Sequence, residues 1–313
     1  MLAIETRDLT VVYRKGLFSP PREALSALEL SVEEGEVFGF IGANGAGKTT
    51  TIKALLGLVR PSRGEAFLLG RSFRERASRR EVGFLPEAPY FYDYLTGREA
   101  LCFYGGLSGL AGKDASSRAG ELLERVGLAS AADRAIGTYS RGMRQRLGLA
   151  QAIIHRPRLV ILDEPMSGLD PLGRRDVRLL MLELAREGVT VFFSTHILSD
   201  VEALCARVGV LVAGRLVASG PVGELAAPRV KCVEIACSHV RPELVAGLAS
   251  PPGAVRSDGE TVTFEVPDEE AAQRAARLVL ESGGRLRSLV PIKESLEEVF
   301  TRLQGGSAGG PAV

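Results

Sequence analysis

The densest chemistry in the chain lies at residues 42–49, GANGAGKT, which fits GxxxxGK[ST]. The apolar run EVFGFI at 36–41 leads into it, and Ile52, Leu55, Leu56 and Val59 follow at i, i+3, i+4 and i+7 before Gly57 and Pro61 mark the helix's end. Strand, glycine turn and helix are the context this spacing requires. Gly42, Gly45 and Gly47 let the backbone turn back so that its N–H groups converge, and the helix behind adds unpaired N–H groups and the positive end of its dipole. Such a nest suits a triphosphate. Lys48 is placed to bridge the β- and γ-phosphates and Thr49 to ligate Mg²⁺, with Asn44 and Thr50 in the same nucleotide-contacting set. ATP and Mg²⁺ are the expected ligands.

The second constellation is LVILDEP at 159–165, a short apolar run that ends in two carboxylates. A parallel strand covered on both faces reads this way. Emerging at the ligand end of a sheet, it sets Asp163 near Mg²⁺ and Glu164 where it can polarise the attacking water. Alone, the pattern equally describes a strand meeting a solvated loop. The phosphate loop in the same chain favours the hydrolytic reading.

The elements that must position these groups alternate between strand and helix. Residues 9–14 and 28–32 read as strands, separated by the loop RKGLFSPPREALSA with Gly16, Pro20 and Pro21. Residues 90–155 carry helical patterning, including 117–127 and 143–155, with Pro157 as the stop. VTVFFST at 189–195 is another buried strand. The fold class is therefore α/β, a P-loop fold with a mainly parallel sheet plus a helical subdomain at about 90–155. Pro221, Gly223 and Pro228 mark a boundary, giving a first domain over 1–222 and a small α+β domain over 229–304. In the second domain VKCVEIAC (230–237), TVTFEV (261–266) and RLRSLV (285–290) alternate as strands, and Ala272, Ala275, Ala276 and Val279 line one helix face. The order from 230 to 290 is compatible with a β-α-β-β-α-β ferredoxin-like unit. Ser295 and Glu298 fit a capping box for a last helix bearing Leu296, Val299, Phe300 and Leu303, and 305–313 reads as a disordered tail.

Between the two constellations, YSRGMRQRLGLAQAIIHRPRLVILDEPMSGLD at 139–170 resembles the signature, Walker B and D-loop region of ATP-binding cassette (ABC) proteins. The family signature usually reads LSGGQ. Here Ser140 and Gly142 match, while Tyr139, Arg141 and Met143 depart. STH at 194–196 resembles the family's switch histidine, His196, and Tyr13 stands where the family stacks an aromatic on adenine. The resemblance covers about 1–220. It implies a dimer, a homodimer in the simplest case, with each ATP held between the phosphate loop of one subunit and Ser140–Gly142 of the other. It makes His196 a γ-phosphate contact, beside the catalytic Glu164 and Lys48, and Asp170 an intersubunit contact; without it, Asp170 is a turn residue. Glu87 stands where the family's Q-loop has glutamine and would join Asp163 and Thr49 at the metal. The same loop contacts a membrane partner in the family, and Tyr90, Phe91, Tyr92 and Tyr94 suit that surface, or else a buried aromatic patch. The C-terminal PIKESLEEVFTRL resembles ATPase subunits of ABC-2-type exporters.

Composition narrows the partners. Lys plus Arg is 39 against 38 for Asp plus Glu, so the whole chain offers no charge for nucleic acid. The Arg-rich run at 74–80 reads as a solvated helix face. Cys102, Cys205, Cys232 and Cys237 form no CxxC pair and read as reduced thiols of a cytoplasmic protein. The start has no long apolar run, and no segment reaches the roughly 18–20 apolar residues of a spanning helix. The reading implied is an ATP-hydrolysing subunit, cytoplasmic and peripheral on the inner face of the membrane through a separate transmembrane permease. A soluble ABC ATPase acting on nucleic acid or ribosomes, and a low-turnover nucleotide-sensing subunit, are the competing readings.

Overall fold

A computed structural model describes residues 1–14, 20–225, 230–250 and 255–293. The chain divides between Val222 and Gly223 into two compact units. The first holds two sheets. One is antiparallel, from β1 (Leu2–Tyr13), β2 (Arg22–Glu33), β4 (Arg63–Leu68) and β5 (Arg71–Ser72), in the order β2-β1-β4-β5. The other contains β3 (Val37–Gly42), β6 (Val82–Leu85), β7 (Leu159–Asp163), β8 (Thr190–Thr195), β9 (Arg207–Val212) and β10 (Arg215–Pro221), in the order β10-β9-β3-β8-β7-β6. Strands β3 and β6–β9 run parallel and β10 returns antiparallel on β9. All residues of β3, β7 and β8 are buried, which is why their sequences are continuous apolar runs rather than alternations.

Helix α1 (Lys48–Leu55) buries Ile52, Ala54 and Leu55, and these join a core of residues from both sheets. Phe38 stacks on Phe192 with ring centroids 5.9 Å apart, and Phe40 lies 5.4 Å from the same ring. The expected loop over 14–27 needs correction, because residues 22–27 belong to β2. Both Leu25 and Leu28 are buried although three apart, since Ala27 takes φ 46 and the ladder slips between Leu9 and Val11. That bulge breaks the period-2 pattern by which a strand is read.

The helical region contains α2 (Gly97–Leu107), α3 (Gly112–Arg125) and α4 (Arg141–Ala152). The first opens on a capping box that the sequence reading did not single out, with Glu99 N donating to Thr96 Oγ1 at 3.1 Å and Thr96 N to Glu99 Oε2 at 2.8 Å. Helix α4 starts two residues before its expected beginning at 143, because Ser140 caps it and accepts from Met143 N at 3.2 Å. Tyr139 is buried, and its hydroxyl donates to Ala131 O at 2.7 Å. Helices α5 (Pro171–Arg186) and α6 (Leu198–Leu204) flank β8, and a single turn, α7 (Val222–Leu225), crosses the division.

The second unit has β11 (Val230–Ser238), α8 (Pro242–Ala246), β12 (Arg256–Asp258), β13 (Thr261–Val266), α9 (Glu269–Glu281) and β14 (Arg285–Lys293). Its sheet is antiparallel with order β12-β13-β11-β14, the topology of the split βαβ unit. Ala271, Ala272, Ala275 and Val279 of α9 pack with Val233, Ile235 and Phe264. The helix read over 295–303 and the tail at 305–313 lie outside the described residues.

Candidate active site

Three neighbouring parallel strands, in the order β3-β8-β7, end at Gly42, Thr195 and Asp163. The register pairs Ile41 with Thr195 and Asp163 with Ser194, so their carboxyl ends finish side by side. This is where a parallel sheet offers a crevice. Beyond β3 the chain turns through Gly45 at φ 83 and Gly47 at φ 113. A Cβ on Gly47 would meet Ala24 O at 2.8 Å, so close packing and the left-handed turn both require glycine there. Gly47 is the N-cap of α1 and supplies no side-chain cap, which leaves the helix's first N–H groups to the crevice.

Lys48 folds back over the loop. Its Nζ donates to Gly42 O at 2.7 Å and lies 3.1 Å from Glu164 Oε1. Glu164 is 8% exposed, and its other oxygen accepts from His196 Nδ1 at 2.9 Å. A carboxylate acceptor sets the hydrogen of that ring on Nδ1. The backbone of Glu164 sits at φ 49, an uncommon conformation for a side chain of this size. Ser194 holds it there: Glu164 N donates to Ser194 Oγ at 3.0 Å, and that hydroxyl donates to Asp163 Oδ1 at 2.6 Å. One serine thus orients both carboxylate residues. From the α4 side, Gln145 Nε2 donates to Pro165 O at 3.1 Å. Neither Ser194 nor Gln145 stood among the sequence candidates. The signal for Ser194 was its place two residues before His196; nothing local marked Gln145.

Ser194 is fully buried, so Ser194→Ala removes a donor and an acceptor with no water to replace them. The expected loss is about 1–3 kcal/mol, read as a fall in melting temperature of roughly 3–10 °C. An unchanged melting curve would show that this hydroxyl does not hold the loop.

A cleft of about 1010 Å³ opens above these groups. Tyr13, Asn44, Gly45, Gly47, Lys48, Thr49, Thr50, Glu87, Glu164 and His196 all line it. Arg22, Glu23 and Ser167 also line it and were not anticipated. Asp163 is buried behind the lining. Ser140, Gly142 and Asp170 do not line this cleft. Asp170 caps α5, accepting from Gly173 N at 2.8 Å, as Ser140 caps α4.

The sequence matches the ABC transporter family model over residues 25–167. It is 38% identical to the ABC transporter ATP-binding protein YxlF of Bacillus subtilis (strain 168) over 284 residues, 90% of this chain and 94% of that protein. The chain belongs to the ABC transporter family. It is 35% identical to the bacitracin transport ATP-binding protein BcrA of Bacillus licheniformis over 313 residues, 98% of this chain and 99% of the relative. Identity to the ABC transporter ATP-binding protein sll0415 of Synechocystis sp. is 45% over 225 residues, 71% of this chain and only 64% of that protein's length. The solved ATP-binding subunit of an ABC transporter is 32% identical, with TM-score 0.63 over 71% of this chain and 91% of that one. The dimeric cassette MJ0796, solved with ADP and Pi, shares the fold at TM-score 0.65 and 23% identity, over 70% of this chain and 98% of that one. The cassette described here is an ATP-binding subunit and an ATPase. Among its described residues no helix is long and apolar enough to cross a membrane.

Proposed function

We propose that this cassette drives a separate membrane permease, as the ATP-hydrolysing subunit of an exporter, and that it works as a dimer. The observation that carries the hydrolytic part is the cluster of Lys48, Glu164 and His196 at the floor of the cleft. The triphosphate sits on the loop at 42–50 with adenine against Tyr13. Lys48 then contacts phosphate oxygens as well as Gly42 O, and Glu164 takes the proton of the attacking water while His196 fixes its orientation.

The donor set fits a hydrated Mg²⁺ shared with phosphates. Thr49 offers a hydroxyl, and Asp163 and Glu87 offer carboxylates. Among the described residues no group of three or more His, Cys, Asp or Glu could hold a metal ion alone. When bound, the ion would neutralise charge on the phosphates.

Ser140, Gly142 and Asp170 stand outside the chain's own cleft, which supports a site completed by a second copy. The exposed aromatic face supports a permease partner. Tyr90 is 82% exposed and Tyr94 76%, and Tyr92 packs between them with Phe103 against its edge. Phe91 is the buried member of the run, at 5% exposure. Export rests on the resemblance of the C-terminal region and on the transport role in BcrA's name. A cytoplasmic, membrane-peripheral location follows from the same reading.

The test is capture. Tagged Glu164→Gln protein, incubated with native membranes, cytosol and Mg-ATP, is expected to retain a polytopic membrane protein in stoichiometric amount. A soluble dimer alone, or one carrying RNA or ribosomes, would sink the exporter reading. Adding Tyr92→Asp and Tyr94→Asp should abolish the capture, because each places a charge in an apolar contact. Retention of the membrane protein by the folded double variant would move the docking surface elsewhere.

A further inference from the structure

The first turn of α4 packs directly on the loop that leaves Glu164. Arg141 is the first residue of that helix, and its guanidinium lies over Gly168. A Cβ built on Gly168 would fall 2.5 Å from Arg141 Cζ, 2.6 Å from Nε and 2.9 Å from Nη1. Arg141 Nη2 lies 3.5 Å from Ser167 Oγ. One residue further along the helix, a Cβ on Gly142 would reach Leu169 Cδ2 at 3.4 Å. A turn later, Gln145 holds Pro165. The loop from 165 to 169 is therefore gripped along its length by α4 of the same chain. Arg141 is exposed, and among the described residues no carboxylate pairs with it; the neighbours its guanidinium meets are Gly168 and Ser167. The family signature usually has glycine at this position, which has no side chain to meet them.

We propose that Arg141 is a positioning residue for hydrolysis. It presses on the backbone at Gly168 and so keeps Glu164, four residues earlier, in its buried left-handed setting between Lys48 and His196. Gly168, at φ 70, is the partner that makes room for the guanidinium. A flat guanidinium can lie on a Cα; a lysine ammonium, a compact hydrated charge, cannot cover the same surface. The proposal rests on the reading of Glu164 as the group that activates water.

Steady-state ATPase kinetics on full-length Arg141→Gly, Arg141→Lys, Gly168→Ala and the Arg141→Gly/Gly168→Ala double variant test it, with a melting curve for each. Arg141→Gly should lower kcat about 5- to 20-fold, inside the roughly 2- to 150-fold range that contact couplings span, with KM for ATP held within about twofold. Gly168→Ala should lower kcat at least as far, because its Cβ both displaces the guanidinium and strains a backbone held at φ 70. The double variant should be no slower than the worse single one, since both changes break one contact. Arg141→Lys should remain closer to Arg141→Gly than to the parent.

Losses that multiply in the double variant would overturn the proposal. So would a rise in KM with kcat unchanged, which marks a phosphate ligand, or full activity in Arg141→Lys. If Gly168→Ala does not fold, the comparison of Arg141→Lys with Arg141→Gly decides alone. Failure of the underlying reading looks different: Glu164→Gln would then hydrolyse ATP at the parent rate, whatever Arg141 does.

Discussion

Glu164→Gln is expected to bind ATP and to hydrolyse it about 10²–10⁴-fold more slowly than the parent. The amide keeps the size of the carboxylate but cannot accept the proton of water. The surrounding geometry is built to hold the anion: Lys48 Nζ at 3.1 Å on one oxygen, His196 Nδ1 at 2.9 Å on the other, and Ser194 on the backbone N–H. Gln offers one acceptor oxygen in place of two and brings an NH₂ group against Lys48 or His196. Phosphate affinity resides in the loop at 42–50, so nucleotide binding should survive. The measurement is single-turnover hydrolysis beside equilibrium binding of a fluorescent ATP analogue. Equal hydrolysis rates in parent and variant would remove Glu164 from the chemistry and favour the low-turnover sensing reading.

Lys48→Ala is the second large effect, and it divides into two measurable parts. Its ammonium is the positive charge on the floor of the phosphate nest, 6% exposed and anchored on Gly42 O. Losing a charge-assisted contact of about 1.5–3 kcal/mol should weaken ATP binding roughly 10- to 100-fold, with hydrolysis falling further. The second part concerns stability. Removing one partner of a buried pair leaves the other charge uncompensated, at about 3–5 kcal/mol where no other partner exists. Glu164 keeps His196, so the cost here should be smaller, about 1–3 kcal/mol. Adding Glu164→Gln to Lys48→Ala removes the stranded charge and should recover part of the lost melting temperature without recovering binding. A melting temperature that falls further in the double variant would show that the ion pair is not what Lys48 contributes to the resting structure.

The alternatives set out from the sequence respond differently to these variants. An exporter subunit loses turnover in Glu164→Gln and captures a membrane protein; a nucleic-acid ATPase loses turnover and captures RNA or ribosomes; a sensor loses little. The near-balance of 39 basic and 38 acidic residues weighs against the second of these.

What the sequence determined on its own was local. The phosphate loop could be read because glycine at φ 83 and φ 113, a lysine and a helix start fall within eight residues, and each requirement is met by residue type alone. The ends of β7 and β8 were legible because strands buried on both faces are unbroken apolar runs, and polar chemistry can begin only where they stop. The start of β2 was hidden, because the bulge at Ala27 shifts its buried residues out of alternation. Apart from the nearness of Ser194 to His196, contacts between distant segments left no mark in the sequence. Ser194 reaches Asp163 and Glu164 across 31 and 30 residues, Gln145 reaches Pro165 across 20, and Arg141 finds its space only because residue 168 is glycine. Those distances close when β3, β8 and β7 lie side by side and α4 folds onto the loop beyond them. Residue types and spacing specify the reacting groups; how firmly Glu164 is held against Lys48 and His196 is decided by the tertiary packing of segments that share no local pattern.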